Sequence, residues 1–402
     1  MPTDAPPSVS QRLAGLLVLA LLVGTTNGLS RIAMPFFAAH VGAQAWQVGL
    51  VGGLGYAGML LLSLPMGALM ERHGGRRLFV RGTAAAAALY LLVLPQVHAA
   101  WPAIAGAGLL GLLLPFRVLP VQTEFLHLLP QLDPSRAGWN RAANMLGMFL
   151  IGPTLAAALV AALGFALTFV IVALMLLGAV LVGRRALDGD GETLPQDAAL
   201  SLWARMRAQL SLLAERRDLR RAMGYDLLVQ MAVAYFVVFV IVLGVRRFGL
   251  SVPAAAGLVT LQGVVYVLTL FLGGRLLDGH GEDRRYAIAF ACLLGCTLAI
   301  GFAGVPALLW LGAALLGLGL GVQSLTSVTR FAALMQHHGR GRVSGLISLA
   351  PPAGGVIGAV LGGVLSQHFG PQAGFRVLAL AFALALGWVG WRARAGASRL
   401  RG

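Results

Sequence analysis

The chain has 402 residues; 58% of them are hydrophobic and 11% are charged, and the mean hydropathy is +0.83. Because soluble domains carry roughly 25% charged residues, this composition excludes a soluble protein. The net charge of +16 is carried by arginines in short segments between apolar runs. Such a distribution is typical of loops beside a membrane and argues against a nucleic-acid partner.

Apolar runs of about 20 residues follow one another along the chain, and each is long enough to cross a hydrocarbon core of ~30 Å as a helix. The runs lack the alternation of apolar and polar residues that a membrane β-barrel requires. The sequence therefore predicts an all-α polytopic membrane protein with twelve transmembrane helices. Their ranges are 13–37, 47–70, 78–97, 101–126, 140–161 and 164–183 in the first half, and 224–245, 253–277, 286–303, 306–333, 343–367 and 373–391 in the second.

The two halves flank a polar segment, 184–222. Its first part is acidic and glycine-rich, whereas its second part places Trp203, Met206 and Leu210 at helical spacing among arginines. A basic amphipathic helix of this kind lies along a membrane surface, although a plain tether would serve equally well. We predict an N-terminal six-helix bundle (1–183), a cytoplasmic linker with an amphipathic helix (184–222) and a C-terminal six-helix bundle (223–402).

The arginines of the loops are distributed unevenly between the two sides of the predicted membrane. One side carries only Arg246, Arg247 and Arg376, and the side that holds both termini carries the others. Because arginine-rich loops remain in the cytoplasm, the sequence predicts a multi-pass protein of the inner (plasma) membrane with both termini cytoplasmic.

A short arginine-rich turn occurs twice. The first copy runs from Gly67 to Arg77 and the second from Gly274 to Arg285, an offset of 207 residues that is close to half the chain. Both copies read Gly-x-Leu-x-acid-x-His-Gly and continue with basic residues, which indicates two related halves. The residues assigned to these gating turns are Gly67, Glu71, Arg72, Gly74 and Arg76 in the first half, and Gly274, Asp278 and Gly281 in the second.

The turn resembles the signature between spans two and three of the major facilitator superfamily, Gly-x-Leu-x-Asp-Arg-x-Gly-Arg-Arg/Lys. The first copy matches this signature at Gly67, Leu69, Arg72, Gly74, Arg76 and Arg77, with Glu71 in place of the aspartate and Gly75 as a departure. The second copy keeps Asp278 but has Gly279 where the first has Arg72. The resemblance implies a secondary transporter with alternating access, in which spans one, four, seven and ten line a central cavity. It also implies that Glu71 and Asp278 meet helix N-termini and hold the halves together on the cytoplasmic side.

A second repeat relates span five to span eleven. Gly152-Pro153-Thr154-Leu155-Ala156-Ala157 is echoed by Ala350-Pro351-Pro352-Ala353-Gly354-Gly355. Both resemble the Gly-Pro-x-x-Gly-Gly motif that antiporters of the superfamily carry in span five, which implies export by antiport. Close helix packing and proline kinks explain the pattern equally well. The residues assigned to packing and kinking are Gly152, Pro153, Pro351, Gly354, Gly355 and Gly358.

Ionisable residues are rare inside the predicted spans, where each costs ~2.5–3.5 kcal/mol at the helix centre. They are Arg31 in span one, Arg117 and Glu124 in span four, Asp226 in span seven and Arg330 in span ten. Because the resemblance places these four spans around the cavity, the five residues are candidates for a solute or ion pathway. Three positive and two negative charges favour an anionic or zwitterionic solute. The uncharged pathway candidates are Asn27, Gln122, Gln230 and Gln323.

Several of these residues have simpler interpretations. Arg31 could reach the membrane surface, as long side chains do, and Asp226 suits a helix N-terminus. The internal repeat puts Glu124 opposite Arg330, which predicts an ion pair between the halves when the cytoplasmic side is closed. The alternative is that each of these two side chains reaches water or lipid headgroups by itself.

The sequence predicts a secondary active transporter of a small organic solute, with proton-coupled efflux as the leading function. Import or uniport of an anionic or zwitterionic solute is the alternative, and a membrane-embedded enzyme is a remote one. The chain has no phosphate-binding loop and no lysine, so direct use of ATP is not expected. No cofactor and no metal site are predicted, and Cys292 and Cys296 are interpreted as small hydrophobes. The expected partners are the solute, protons and membrane lipids, without nucleic acid, and the protein is expected to be a monomer.

Overall fold

Long helices form almost all of the structure, a computed structural model that describes residues 9–128, 131, 139–187, 216–277, 279–338 and 340–399. No strand occurs among these residues, and the predicted all-α class is confirmed. The predicted amphipathic helix of the linker lies outside the described residues, because 188–215 are not among them.

The first half begins with α1 (Val9–His40), α2 (Ala45–His73) and α3 (Gly75–Ala88), which continues as a π-helical segment (Leu89–Val93) and a 3₁₀ turn (Leu94–Gln96). It goes on with α4 (Ala100–Leu128), α5 (Trp139–Met145), a π-helical segment (Leu146–Ile151) and α6 (Gly152–Ala186). The second half consists of α7 (Arg217–Phe248), α8 (Val252–Leu276), α9 (Glu282–Gly301), α10 (Ala307–His338), α11 (Arg340–Phe369) and α12 (Pro371–Arg399).

Eleven stretches of the described chain are long and apolar enough to cross a membrane, where the sequence predicts twelve. The difference lies in the stretch Ala142–Ala186, which is 45 residues long. Gly164 interrupts this stretch with φ +73° and ψ 179°, a conformation that glycine adopts without the steric penalty of a Cβ atom. The regular helix is therefore broken between the predicted spans at 140–161 and 164–183.

The helices run alternately between two faces of the molecule. We call the side that holds the start of α1 and the end of α12 the termini face. Ion pairs connect helix ends there, between Arg12 and Glu124 (2.8 Å) and between Arg392 and Asp283 (3.5 Å). The connections on the opposite face are 41–44, 97–99, 249–251, 302–306 and residue 370.

The two halves are in close contact near the opposite face, where α2 packs against α11. A Cβ atom added to Gly49 would lie 2.7 Å from the Cα of Gly363, so neither position has room for a larger side chain. The backbone N–H of Ala45 also donates a hydrogen bond to Gln367 Oε1 at 3.0 Å. Because small residues let two helix backbones approach, this contact closes the interface between the halves on that side.

Two further contacts between the halves lie deeper along the helices. A Cβ atom added to Gly355 of α11 would lie 2.6 Å from the ring of Tyr56 in α2. The rings of Phe149 and Tyr266 meet edge to face with centroids 5.6 Å apart, which joins the α5–α6 segment to α8. Among the described residues, the halves therefore touch mainly through α2 with α11 and through the α5–α6 segment with α8, and less extensively through α1 and α2 with α7.

Aromatic side chains fill the interior of each half. Phe37 and Phe169 form an edge-to-face pair with centroids 5.0 Å apart in the first half, and Tyr225 and Phe290 form another at 5.0 Å in the second. Such pairs contribute about 0.5–1.5 kcal/mol each beyond their burial. Each half thus has packing of its own that does not depend on the contact between the halves.

Candidate functional site

A cavity of about 760 Å³ lies between the two halves. Helices α1, α2, α4 and α5 line it from the first half, and α7, α8, α10 and α11 line it from the second. Along α1 the lining extends from Pro35 to Ala20, and along α4 it reaches Gln122, so the cavity extends towards the termini face. The contact between Gly49 and Gly363 closes the other side.

The cavity wall of the first half contains Arg31 of α1. Its guanidinium donates a hydrogen bond to the Tyr56 hydroxyl and lies over the Tyr56 ring, with Cζ 5.0 Å from the ring centroid. The sulfur of Met148 accepts hydrogen bonds from Arg31 at 3.7 Å and from Asn27 at 3.6 Å. Arg31 therefore faces the cavity rather than a membrane surface, and an aromatic face stabilises its charge.

Arg117 of α4 lies on the same wall and is only 3% exposed. It donates a hydrogen bond to Thr26 Oγ1 at 2.5 Å, and its Nε has no hydrogen-bond partner among the described residues. The ion pairs between described residues do not include Arg117. A buried charge without a partner of opposite sign pays a desolvation cost of several kcal/mol, which an anion in the cavity would offset.

Asp226 of α7 faces the cavity from the second half and is 7% exposed. The side-chain amide of Gln323 donates a hydrogen bond to Asp226 Oδ1 and another to Ser327 Oγ, both at 2.8 Å. Gln230 adds a second amide to this wall. Asp226 lies nine positions after Arg217, the first residue of α7, so a helix N-terminus does not account for its place.

Two charged residues of the predicted pathway lie outside the cavity lining. Glu124 accepts a hydrogen bond from Arg12 at 2.8 Å. Arg330 donates one to Glu282 at 3.0 Å, and its guanidinium also lies 3.8 Å from Asp218. Each ion pair joins helices of one half on the termini face, so these contacts differ from the Glu124–Arg330 pair predicted for the closed cytoplasmic side.

The other predicted pathway residues are divided between the cavity and its surroundings. Gln323 is fully buried behind the wall, in contact with Asp226. Within the described part of the chain, no group of three or more His, Cys, Asp or Glu could hold a metal ion, and both cysteines are free thiols. The predicted residues found in the cavity lining are Asn27, Arg31, Arg117, Gln122, Asp226 and Gln230.

Several polar groups of the cavity were not among the sequence predictions. Tyr56 had a recognisable signal, because it is a single aromatic residue among the glycines and aliphatic residues of 49–62. Asn140 and Asn144 had a weaker one, as amides at the start of a predicted span. The others carry no pattern of their own, and only the packing of α1 against its neighbours reveals them. They are Ser30 and Met148 in the lining, and Thr26, which is fully buried and accepts the hydrogen bond of Arg117.

The two arginine-rich turns differ in structure. In the first copy Gly74 separates α2 from α3 with φ +79°. In the second copy Gly279 has φ +79°, whereas Gly281 precedes α9 with φ −62°. Because a positive φ favours glycine, the second copy requires a glycine where the first has Arg72.

The acidic residues of these turns remain predictions. Asp278 lies outside the described residues, and only the backbone of Gly67, Glu71 and Gly274 is described. Arg72 is exposed on the termini face, and Arg76 is half-buried.

The glycines of the second repeat lie at close helix contacts. Cβ atoms added to Gly354 and Gly358 of α11 would lie 2.6 Å from backbone atoms of α7, and one added to Gly152 would lie 2.7 Å from a backbone oxygen of α1. Pro153 is buried, and Pro351 lines the cavity. Close packing is thus a sufficient explanation for these residues, and the antiport motif remains a prediction.

Comparisons with known proteins agree on one architecture. The sequence profile of the Major Facilitator Superfamily matches residues 16–258 and again 227–402. A solved structure of a mutant of the nucleoside transporter NupG is similar to this chain with a TM-score of 0.78 at 13% identity, covering 95% of this chain and 100% of that one. A second structure of nucleoside transporter NupG gives a TM-score of 0.73 at 11% identity, with coverages of 96% and 98%. A search of curated proteins gives no match.

The structural likeness at these identities concerns the fold, and the profile matches account for nearly the whole chain. The two profile matches also agree with the internal repeat of the arginine-rich turn. This multi-pass membrane protein belongs to the major facilitator superfamily.

Proposed function

We propose that the protein is a secondary transporter that moves a small organic solute by alternating access, with proton-coupled export as its function. The observation that carries this proposal is the cavity between the halves, with Arg31 and Arg117 on one wall and Asp226 on the other. Membership of the family favours a transporter over a membrane-embedded enzyme. In this mode of transport the site stays at the interface between the repeats while the repeats rock around it.

The same proposal includes twelve transmembrane helices in two bundles of six. A single helix of 45 residues would be about 68 Å long at 1.5 Å per residue, more than twice a hydrocarbon core of ~30 Å. A turn at Gly164 divides this stretch into two spans of ordinary length and gives each half six. The distribution of arginines then supports cytoplasmic termini.

The solute of this proposal carries an anionic group that binds Arg117. The hydrogen-bonding capacity of Arg31 is already directed at Tyr56 and Met148, whereas Arg117 Nε is unpartnered among the described residues. A charge-assisted hydrogen bond contributes about 1.5–3 kcal/mol, enough to favour an anion over a neutral analogue. A zwitterion would place its cationic group towards Asp226 on the other wall.

Asp226 is the residue that we propose to exchange protons. Among the described residues it is the carboxylate that lines the cavity, and the amide of Gln323 holds it in place. A carboxylate within a span that faces a water-accessible cavity is a common element of proton relays. Export uses this group if a proton enters from the opposite face as the solute leaves.

Transport by purified protein in liposomes tests the proposal. Untargeted comparison of metabolites in cells with and without the protein first supplies the solute. Wild-type protein should couple solute movement to proton movement, which a pH-sensitive dye inside the liposomes records. Asp226→Asn should abolish the proton signal but retain solute exchange, whereas Asp283→Asn, a carboxylate outside the cavity, should keep both. Proton movement that persists in Asp226→Asn would exclude this residue as the carrier.

Uptake of a neutral solute such as a nucleoside is a second candidate. The likeness to nucleoside transporter NupG favours it, together with the amides of Asn27 and Gln230 and the ring of Tyr56 in the cavity. These groups suit a hydrogen-bonding aromatic ring. Nucleosides would then compete with the solute for exchange, and they would compete equally well in the wild type and in Arg117→Gln. This result would favour a neutral solute over an anionic one.

A further inference from the structure

A second cavity, of about 470 Å³, opens on the opposite face. The connection between α1 and α2 contributes to it from the first half. The end of α7 and the connection between α11 and α12 contribute from the second. It is therefore also a site between the halves, at the other end of the interface from the termini face.

Three arginines line this cavity: Arg246, Arg247 and Arg376. We call this site the arginine vestibule. Arg246 and Arg247 lie in the last turn of α7, and Arg376 lies near the start of α12. They are the same three arginines that the sequence places on this side of the membrane. The fold thus brings all three arginines to one cavity, although Arg376 is far from the other two in the chain.

Among the described residues, the arginine vestibule contains no opposite charge. Its lining includes neither aspartate nor glutamate, and the described connections on the opposite face contain none. Neutral groups orient two of the guanidiniums: Arg247 donates a hydrogen bond to the side chain of Gln372, and Arg376 Nε donates one to the Gly301 carbonyl at 2.8 Å. Neighbouring positive charges repel one another, so an anion among them lowers the energy of the arrangement.

The arginine vestibule is aligned with the central cavity. On α2, Val48 lines the vestibule and Val51, one turn later, lines the central cavity. On α7, the adjacent residues Phe239 and Val238 divide in the same way. The α2–α11 contact at Gly49 lies between the two sites, so a solute that passed this contact would move from one cavity into the other.

We propose that the arginine vestibule binds a carboxylate or phosphate group on the opposite face. Guanidinium groups match these anions through paired N–H donors. For a transported anion, the vestibule is the position at the outer end of the solute path; this assignment rests on the proposed function, whereas the binding site itself does not. An anionic lipid headgroup presents the same chemistry, and the experiment distinguishes the two sources.

Inorganic phosphate is the probe, and the readout is the thermal stability of the purified full-length protein at increasing phosphate concentration. In detergent, the wild type should show a saturable rise in Tm. The variant with Arg246→Gln, Arg247→Gln and Arg376→Gln should bind phosphate about tenfold more weakly, because charge-assisted hydrogen bonds are lost. Arg184→Gln, Arg185→Gln and Arg217→Gln together form a charge-matched control on the termini face and should respond like the wild type.

A second variant separates binding from folding. Arg247 and Arg376 also donate hydrogen bonds to Gln372 and Gly301, so their replacement can lower stability as well as phosphate binding. Arg246→Gln alone should weaken phosphate binding and leave the Tm without phosphate unchanged. The same measurement in nanodiscs compares a zwitterionic bilayer with one that also contains anionic lipid. If the anionic lipid removes the phosphate response of the wild type, the site binds a lipid headgroup. A response that is equal with and without anionic lipid assigns it to a free anion.

Equal phosphate responses of the wild type, the triple variant and Arg246→Gln would overturn the proposal. Phosphate held at Arg117 in the central cavity would give this result, because that site is unchanged in both variants. The proposed function fails separately, if wild-type liposomes show no solute exchange. If the phosphate response still depends on the three arginines in that case, the anion site exists but the protein has another function.

Discussion

Arg117 is the residue whose surroundings most restrict its role. It is almost fully buried, and its hydrogen bond goes to the neutral hydroxyl of Thr26. Buried charges in proteins are as a rule paired with an opposite charge. A buried cation that is left without one in a cavity wall is better explained by a ligand that brings the negative charge with it.

Replacement of this residue should separate binding from stability. Arg117→Gln is expected to weaken solute binding about 10- to 150-fold, which corresponds to the loss of about 1.5–3 kcal/mol from a charge-assisted hydrogen bond. The Tm of the empty protein should stay the same or rise, because an uncompensated buried charge is removed. Solute titration and thermal unfolding measure the two effects, with Arg81→Gln, an exposed arginine of α3, as the control.

A lower Tm with unchanged solute affinity would contradict this interpretation. It would assign Arg117 to the packing of α1 against α4, through Thr26. Arg117→Lys gives a further distinction, since lysine keeps the charge but loses the paired donors. Partial recovery of affinity in this variant is expected for an anion site.

At the scale of helices, the ion pairs of the termini face suggest an exchange of partners. Glu124 pairs with Arg12, and Arg330 pairs with Glu282, while the cavity extends to this side. Closure of the termini face would bring α4 and α10 together and would favour the predicted pair between Glu124 and Arg330. In this exchange, an ion pair between the halves replaces the ion pairs within each half.

Three charge-reversal variants test this exchange. Glu124→Arg alone should reduce transport, because both pairings are lost. Adding Arg330→Glu should restore transport if the pair between halves is needed, whereas adding Arg12→Glu should restore protein stability but not transport. Initial transport rates and Tm values of the three variants give the comparison. Full recovery with Arg12→Glu and none with Arg330→Glu would show that the pair within one half suffices.

The contact between α2 and α11 yields a prediction about the conformational equilibrium. Gly363→Val should force the helices apart at Gly49, at a cost of about 1–3 kcal/mol for an overpacked contact, or roughly 5- to 150-fold in population. Val51→Cys, in a background without the two native cysteines, should then react faster with an impermeant maleimide from the opposite face. Gly387→Val is the matched control, because a Cβ atom there meets nothing within 4 Å. An unchanged labelling rate in Gly363→Val would exclude this contact as the closure.

Sequence reasoning located the helices well but not their partners. Apolar runs predicted 47–70 for a helix that covers Ala45–His73, since hydrophobicity determines which segment enters the membrane. The apolar pattern could not show that Glu124 meets Arg12, because that pairing depends on how α1 packs on α4. Tyr56 is a similar case: its neighbours in the chain are apolar, whereas its hydrogen-bond partner, Arg31, lies 25 positions away on another helix.

At the scale of the whole molecule, the break at Gly164 decides the topology of the first half. If it is a turn between two spans, an impermeant maleimide should label Leu163→Cys from the side on which it labels Gly42→Cys. It should label Arg72→Cys from the other side. Leu163 is 45% exposed, so access within the protein does not limit the reaction. Labelling of Leu163→Cys together with the Arg72 position would leave eleven spans and place the termini on different sides.

The glycine contact between α2 and α11 also bears on how a proton gradient survives in the presence of this protein. Backbone packed against backbone leaves no space for a file of water molecules, and such a file is what conducts protons through a membrane. While the cavity is open to one side, the contact at Gly49 and Gly363 should therefore act as a barrier to protons on the other. Cells that produce a Gly363→Val variant should therefore lose membrane potential even when no solute is present.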